Sequence, residues 1–283
     1  MRFDAYRATV PAMPVHVQRI LMDELGNPME ASPHKNYKKA VHWPMAGARL
    51  NWGGHNLNPF LDVQGDHSPV IADIIREHFI YHSVSRADAC VDFKGGRDEF
   101  KRVGSDLVTI AKKWGVSTRL IASPSDDEKG QTLYIGSRTS EVMVRLYEKG
   151  KQLQEVKGQT PENPDLIRFE IEVKPNKADR KQLLARTAPQ ELPSFSRWSI
   201  KACSLVTGSV VPFQPRVSER RTEAQKALDH MCAQYKGQGA NFARMHGRKA
   251  LKKLLAQFYR DCIEAAGEES QSDPKTSNIA GAD

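Results

Sequence analysis

The chain has 283 residues and a formal net charge of +8, and 39% of its residues are hydrophobic while 27% are charged. This composition is that of a globular protein and is too apolar for a disordered chain. The longest apolar runs are too short to cross a membrane, and the first residues carry an early acid in place of an apolar leader core, so neither a membrane span nor export is predicted. The four cysteines have no close spacing, which excludes a disulfide framework or a zinc site and favours a reducing cytoplasm.

The positive charge is unevenly distributed along the chain. Residues 216–265 contain eleven Lys or Arg against five acids, whereas residues 266–283 contain one Lys against four acids. We therefore predict a main domain over 1–215, a basic helical segment over 216–265 and a disordered acidic tail over 266–283. A basic balance of this kind is typical of proteins with an acidic partner such as nucleic acid.

Apolar periodicity predicts an α+β domain with a largely antiparallel sheet. In chain order the predicted elements are a hairpin of strands 48–52 and 59–64, a helix over 69–80, a strand over 88–93, a helix over 97–114, strands over 116–122, 131–135, 142–147 and 167–173, and a helix over 177–186. Ser68-Pro69 begins the first helix and Gly115 ends the second. Two further helices are predicted in the basic segment, separated by Gly237-Gln238-Gly239.

Three of the predicted strands carry one apolar and one polar face, because side chains alternate along a strand. The polar sets are Asp88, Cys90 and Asp92 in the first strand, Met143, Arg145, Tyr147 and then Lys149 in the second, and Arg168, Glu170, Glu172 and Lys174 in the third. If the three strands are neighbours in one sheet, these sets share its open face.

Such a face has the composition of a phosphoryl-transfer site. Converging carboxylates suit a hard cation such as Mg²⁺ or Mn²⁺. Nearby positive charge favours the phenolate of Tyr147, which lies between Arg145 and Lys149 and is then a candidate nucleophile. Tyr134 is the competing tyrosine, but Thr132 and Gly136, its neighbours on its own strand, supply no cation. The alternative is that charged residues merely cover the solvated side of an antiparallel sheet, which is common for any one strand.

Two smaller features remain open on spacing alone. The loop from Gly136 to Ser140 is either a phosphate cradle of backbone N–H groups, hydroxyls and Arg138, or a polar hairpin loop. His78 and His82 form either a metal pair or, as their position at a helix end favours, a surface pair. The sequence contains no His-x-His pair, no Walker A motif and no GxGxxG motif.

Several of these segments resemble a known family. They are Thr132–Ser140 followed by Val144–Gly150, with Arg86–Phe93 and Arg168–Lys174 on either side in the same order. The stretch resembles the rolling-circle replication initiators of staphylococcal plasmids and the replication initiation factors of filamentous phages. The resemblance spans roughly residues 40–215.

The resemblance implies a five-stranded antiparallel sheet with helices on one face and an enzyme that nicks one strand at a replication origin. A tyrosine keeps the 5′ phosphate and leaves a 3′ hydroxyl for a host DNA polymerase. A divalent metal is required, and a host helicase of the Rep/UvrD/PcrA kind unwinds the DNA. Tyr147 matches the family's tyrosine, while Asp88, Asp92 and Glu170 match its acidic positions.

We therefore predict an origin-specific nicking and joining enzyme of a phage or plasmid, acting in a bacterial cytoplasm. The predicted site residues are Tyr147 as nucleophile with Arg145 and Lys149, the metal ligands Asp88, Asp92, Glu170 and in reserve Glu172, the phosphate-binding Ser137, Arg138 and Arg168, and the DNA-binding Arg248, Lys249, Lys252 and Lys253. The basic segment is expected to hold origin duplex or to complete a homodimer. The alternative is a non-catalytic DNA-binding protein, such as an autorepressor, on the same fold.

Overall fold

The computed structural model describes residues 1–123, 129–158, 161–208, 212 and 223–269. The chain divides into two compact units, Met1–Pro215 and Arg216–Asp283. None of the helices in the described ranges is long and apolar enough to cross a membrane.

The first unit contains every strand of the described chain and the helices α1 to α6. The strands are β1 (Arg2–Thr9), β2 (Met29–Glu30), β3 (Lys39–Trp43), β4 (Ala48–Trp52), β5 (Phe60–Gln64), β6 (Ser83–Lys94), β7 (Thr118–Ile121), β8 (Thr132–Ile135), β9 (Val142–Glu148) and β10 (Leu166–Val173). The helices are α1 (Pro14–Leu25), α2 (Ser68–His78), α3 (Gly96–Lys113), α4 (Lys149–Lys157), α5 (Ala178–Arg186) and α6 (Arg197–Thr207). The predicted helices and strands of this unit are therefore confirmed, with shifts of a few residues at their ends.

All the described strands belong to one antiparallel sheet in the order β2-β3-β4-β5-β1-β6-β10-β9-β8-β7. The α+β class is confirmed, but the expected five strands are wrong because the sheet has ten. Strand β1, which the sequence analysis did not predict, lies between β5 and β6 and pairs with both. It joins the predicted hairpin of β4 and β5 to the strands that carry the polar residues, so the two groups form a single sheet.

The apolar face of the sheet is covered by helices. Helix α3 is representative, since Phe100, Val103 and Leu107 recur at helical spacing and are buried in the core. Acidic residues lie in its first turn and lysines in its last turn, which complements the helix dipole. Because the apolar side chains of β6, β9 and β10 enter the same core, their polar side chains point to the opposite face.

The second unit contains a helix, α7 (Glu223–Glu269), that is interrupted at Gly247, where φ is 85° and ψ is 158°. The predicted separation at residues 237–239 is wrong, because the chain stays helical there and breaks at Gly247 instead. Glycine in a helix interior costs only about 1 kcal/mol, so Gly237 and Gly239 do not have to end a helix. Residues 266–269 of the predicted tail are helical, and residues 270–283 lie outside the described chain.

Candidate active site

The three strands with a polar face are neighbours, and β10 lies between β6 and β9. Their register places Arg168 opposite Asp92 on one side and Tyr147 on the other. In the next row, Glu170 lies opposite Arg145. Residues directly opposite each other on one face of an antiparallel pair have side chains in contact range. The three strands are therefore neighbours in one sheet, as the prediction of a shared site required, and the predicted polar sets share one face.

The centre of this face is a cluster of arginines and carboxylates. Asp88 is only 1% exposed and accepts a hydrogen bond of 2.8 Å from Nε of Arg86 and one of 3.1 Å from Nη2 of Arg145. Nη2 of Arg145 also contacts Oε1 of Glu170, and Nη2 of Arg86 lies 2.9 Å from Oε2 of Glu172. Neighbouring carboxylates are thus held together by two guanidinium groups, which compensate for the removal of charge from water.

Tyr147 lies at the side of this cluster and is 7% exposed. Its hydroxyl donates a hydrogen bond of 3.2 Å to Oε2 of Glu170. Burial and then the charge of Glu170 raise the pKa of Tyr147, while Arg168 and Arg145 lower it less. The arginines do favour the phenolate, as expected, but desolvation penalises the anion more than they stabilise it, so the net pKa of Tyr147 is raised.

The two cations predicted beside Tyr147 occupy different positions. Arg145 lies on the same strand face as Tyr147, but its Nη2 group binds Asp88 and Glu170. Nζ of Lys149 lies 5.8 Å from the centre of the Tyr147 ring and donates to Gln152 in the same helix. Lys149 is the first residue of α4, so the step from strand to helix directly after Tyr147 places it beside the ring.

Arg168 is held on two sides by acids. Its Nε and Nη2 atoms bind the two carboxylate oxygens of Asp92, at 2.5 and 2.7 Å, and its Nη1 atom donates to Asp4 at 2.8 Å. Sequence reasoning missed Asp4, which lies at a register shift of β1. The alternation of β1 is irregular there, so only the pairing of β1 with β6 reveals that Asp4 faces the site.

Burial raises the pKa of Glu170 to about 7, and the charges of Asp88 and Asp4 add to this effect. The charge of Arg145 acts in the opposite direction. Carboxyls with a pKa far above the usual value of about 4.3 are concentrated at functional sites, and buried ion-pair networks produce them too.

These residues line an open cleft of about 970 Å³, which we call the tyrosine cleft. The polar side chains at its wall include Asp4, Arg86, Asp88, Arg145, Tyr147, Lys149, Arg168 and Glu170. Helix α4 borders the cleft through Gln152 and Leu153. Gly150 allows this helix to approach the loop before β10, because a Cβ atom there would lie 2.1 Å from the carbonyl oxygen of Pro164.

The carboxylates can be tested as ligands of a divalent metal. No group of three or more His, Cys, Asp or Glu side chains in the described part of the chain is arranged to hold a metal ion. Proteins commonly bind Mg²⁺ through one or two carboxylates, and substrate phosphate and water complete its shell. Oδ2 of Asp88 and Oε1 of Glu170 converge on a single cationic nitrogen, Nη2 of Arg145. Carboxylate oxygens are suitable ligands for Mg²⁺ or Mn²⁺, but in the folded protein these two bind Nη2 of Arg145, which a metal ion would have to replace.

The other two predicted ligands are engaged elsewhere. Both carboxylate oxygens of Asp92 bind Arg168. Glu172 contacts Arg86 and, at 2.6 Å, Nζ of Lys174. Neither side chain lines the tyrosine cleft, so Asp88 and Glu170 are the members of the predicted set that border it.

The loop after β8 turns at Gly136, where φ is 91° and a Cβ atom would lie 2.9 Å from the carbonyl oxygen of Val142. Its polar groups bind one another. The backbone N–H of Ser137 donates to Oγ of Ser140, and that of Thr139 donates to Oγ of Ser137. These contacts are those of a self-contained hairpin turn, while the exposed side chain of Arg138 remains at its surface.

His78 and His82 do not form a pair. His78 is exposed, whereas His82 is 3% exposed and accepts a hydrogen bond of 2.7 Å at Nε2 from the hydroxyl of Tyr6. Nδ1 of His82 donates to the carbonyl oxygen of Phe79. His82 is thus a core residue with both ring nitrogens in use, and the surface-pair interpretation is wrong for it.

The predicted DNA-binding residues of the basic segment lie in the second unit. Arg248, Lys249, Lys252 and Lys253 follow the break at Gly247 and are all exposed. Three apolar residues of the same helix are exposed too, with Leu254 at 53%, Leu255 at 57% and Phe258 at 47%.

The fold is that of an α+β protein with a buried tyrosine among arginines and carboxylates on the open face of an antiparallel sheet. Residues 84–190 match the family described as Replication initiation factor. This stretch runs from β6 to just beyond the end of α5 and contains both Tyr147 and Glu170. The predicted resemblance to replication initiators is thereby confirmed.

One solved structure that the chain matches is the rolling-circle replication initiator protein from Geobacillus stearothermophilus. It has 17% sequence identity to this chain and a TM-score of 0.49, and the alignment covers 75% of this chain and 98% of that one. No curated protein gives a significant match.

Proposed function

We propose that this protein starts rolling-circle replication by cutting one strand of origin DNA with Tyr147 and later rejoining it. The observation that carries this proposal is the hydrogen bond from the Tyr147 hydroxyl to Glu170 at the wall of an open, arginine-lined cleft. Both residues lie within the stretch that matches replication initiation factors.

In the proposed reaction the oxygen of Tyr147 attacks the scissile phosphorus. A bond forms between the tyrosine oxygen and phosphorus, the bond from phosphorus to the 3′ oxygen breaks, and that oxygen leaves as a 3′ hydroxyl after taking up a proton. The phenolic proton moves along its hydrogen bond to Oε2 of Glu170. The phosphotyrosine ester keeps the energy of the broken bond, so a 3′ hydroxyl can attack it and restore the strand.

Arg145 stabilises the phosphate in this proposal. Its guanidinium is partly exposed in the tyrosine cleft, and a phosphate entering the cleft competes with Asp88 and Glu170 for it. Arginine binds phosphate through two parallel hydrogen bonds, which suits this exchange. Arg168 is saturated by Asp92 and Asp4 and therefore acts as a positioning residue beneath Tyr147.

Asp88 and Glu170 would hold the divalent metal, through the two oxygens that converge on Arg145. When bound, such an ion neutralises charge that develops on the phosphate. We retain Asp92 and Glu172 as predictions of the sequence only, because Arg168 and Arg86 engage them and neither carboxylate lines the cleft.

The second unit is proposed to bind the origin duplex through Arg248, Lys249, Lys252 and Lys253. Contacts of this type neutralise backbone phosphates and carry little sequence information. The apolar side chains exposed beside them suit the proposed homodimer. The resemblance to rolling-circle replication initiators further implies that the nicked DNA is passed to a host helicase of the Rep/UvrD/PcrA kind and to a host polymerase.

A non-catalytic DNA-binding protein is the second candidate, and the burial of Tyr147 with its raised pKa is the observation that favours it. The two candidates differ in one product. The full chain is incubated with a single-stranded origin oligonucleotide carrying a 3′ label beyond the nick, together with Mg²⁺ or Mn²⁺. A labelled protein band that survives denaturation, with the nucleotide mapped to Tyr147, supports the nicking enzyme. Binding of the origin without any such band supports the non-catalytic protein.

A further inference from the structure

A second groove lies at the end of the sheet beside the tyrosine cleft. It has a volume of about 310 Å³ and is formed by β7, β8 and the turn after β8. Its wall includes Tyr134, which is partly exposed, and the exposed side chains of Arg119 and Arg138. None of the residues that line it is acidic, in contrast to the tyrosine cleft.

The register of the strands connects this groove to Tyr147. Tyr134 lies opposite Arg119 on β7 and opposite Arg145 on β9, while Thr132 lies opposite Tyr147. Tyr134 and Tyr147 are therefore diagonal neighbours on one face, and such positions are about 7–8 Å apart. The neighbours of Tyr134 on its own strand supply no cation, as expected, but cross-strand pairing places two arginines opposite it.

An aromatic ring flanked by cations, without acids, has the chemistry of a subsite for single-stranded nucleic acid. Unpaired bases stack on aromatic side chains, and the neighbouring arginines neutralise the backbone phosphates. A base within a duplex has no free face to offer, so a partly exposed ring on the open face of the sheet suits a single strand better than a double one. The hydroxyl chemistry of Tyr134 is not needed for this contact.

We propose that this groove, which we call the Tyr134 groove, binds the single strand next to the phosphate that Tyr147 attacks. Tyr134 stacks on one unpaired base, and Arg119 and Arg138 contact phosphates of the same strand. The inference rests on the proposed function, since it takes the DNA strand at Tyr147 as the occupant. It adds a subsite that holds the strand in a fixed position beside the nick.

The test measures binding of a fluorescent single-stranded origin oligonucleotide to the full chain with Tyr147→Phe, which removes cleavage from the measurement. Adding Tyr134→Ala should weaken binding about tenfold, the usual effect of losing one stacked base. Tyr134→Phe should recover most of the affinity because it keeps the ring. The matched control is Tyr81→Ala, which removes a tyrosine that is 77% exposed and lines neither the groove nor the cleft.

An abasic nucleotide moved along the oligonucleotide identifies the stacked base. One position should weaken binding to the protein that retains Tyr134 and should leave binding to the Tyr134→Ala protein unaffected. Independently, Arg119→Gln with Arg138→Gln should reduce the salt dependence of binding by about 0.7 per lost phosphate contact. This double variant keeps the test valid if Tyr134→Ala lowers the melting temperature.

The outcomes separate the two proposals. Equal affinities of the Tyr134→Ala and Tyr81→Ala proteins, with identical abasic profiles, overturn the subsite even if the wild-type protein forms its adduct at Tyr147. A tenfold loss confined to Tyr134→Ala, in a protein whose wild type never forms an adduct, supports the subsite and removes the nicking function.

Discussion

The hydroxyl of Tyr147 donates to Oε2 of Glu170 over 3.2 Å, and the same carboxyl group binds Arg145 through its other oxygen. A single buried carboxyl thus connects the proposed nucleophile to the cation proposed to bind the phosphate. The pKa of Tyr147 is raised and that of Glu170 is raised to about 7, both chiefly by burial. Tyr147 is therefore a neutral phenol that donates its hydrogen bond to Glu170, a carboxyl group of unusually high proton affinity.

Tyr147→Phe tests the nucleophile. The variant removes one hydroxyl whose hydrogen bond contributes about 1 kcal/mol to stability, so the fold should be retained. Nicking and the covalent adduct should disappear, and affinity for a single-stranded oligonucleotide should stay within about twofold. Denaturing gels, thermal unfolding and anisotropy measure the three quantities. Peptide mapping of a trapped nucleotide to a residue other than Tyr147 would contradict the assignment.

Asp88→Asn tests the metal site. Losing one partner of a buried ionic cluster costs roughly 3 kcal/mol, because Arg86 and Arg145 are left without a full counter-charge. We expect this loss together with the disappearance of Mn²⁺ binding in calorimetry of the DNA complex. Glu172→Gln is the matched control, since Glu172 belongs to the same arginine cluster but does not line the cleft. If Glu172→Gln loses Mn²⁺ affinity equally, the ion is not held by the proposed pair.

Neutralising the basic helix tests the duplex contact. Each lost contact between a lysine or arginine and a DNA phosphate lowers the salt dependence of duplex binding by about 0.9. Replacing Arg248, Lys249, Lys252 and Lys253 with glutamine should therefore reduce the slope by up to about 3.6. Cutting of a single-stranded oligonucleotide should largely survive, because the tyrosine cleft lies in the other unit. An unchanged salt dependence would mean that these residues do not contact DNA phosphates and contribute only to the solubility of the protein.

His82 gives a prediction for pH and stability. Burial is the largest cause of its lowered pKa; the charge of Arg76 lowers it further, whereas the hydrogen bond to Phe79 raises it. Tyr6, whose pKa is raised to about 12, remains the donor to Nε2. A histidine with a folded pKa below its unfolded value of about 6.5 binds protons more tightly in the unfolded chain. The free energy of unfolding should accordingly fall as the pH falls below about 6.5.

The control for this pH effect is His82→Gln, which offers Tyr6 an acceptor without a titratable group. Denaturant unfolding between pH 5 and pH 8 should show a shallower pH dependence for this variant than for the wild type. Equal slopes for the two proteins would assign the acid sensitivity to other groups.

Local sequence patterns were sufficient to predict most helices and strands of the first unit. The period of about 3.6 residues in α3 and the alternation in β6, β9 and β10 are visible in the sequence because each reports which side of one element is buried. The same alternation placed Tyr147, Arg145 and Glu170 on a polar face. The break in α7 at Gly247 escaped this reasoning, since Gly237, Gly239 and Gly247 look alike in sequence and, of these three, Gly247 is the one with a positive φ.

Pairing between strands that are distant in the chain determined the remaining features of the sheet and the site. Asp4 reaches Arg168 across 164 residues of chain, and β1 merges two groups of strands into one sheet of ten. Tyr134 acquires its arginines from β7 and β9, not from its own strand. The direction of the Tyr147 pKa shift also depended on tertiary structure, because desolvation is set by what covers a side chain and not by its neighbours in sequence. The sequence by itself determined which residues share a strand face, whereas only the folded sheet determined which of those faces meet and how deeply they are buried.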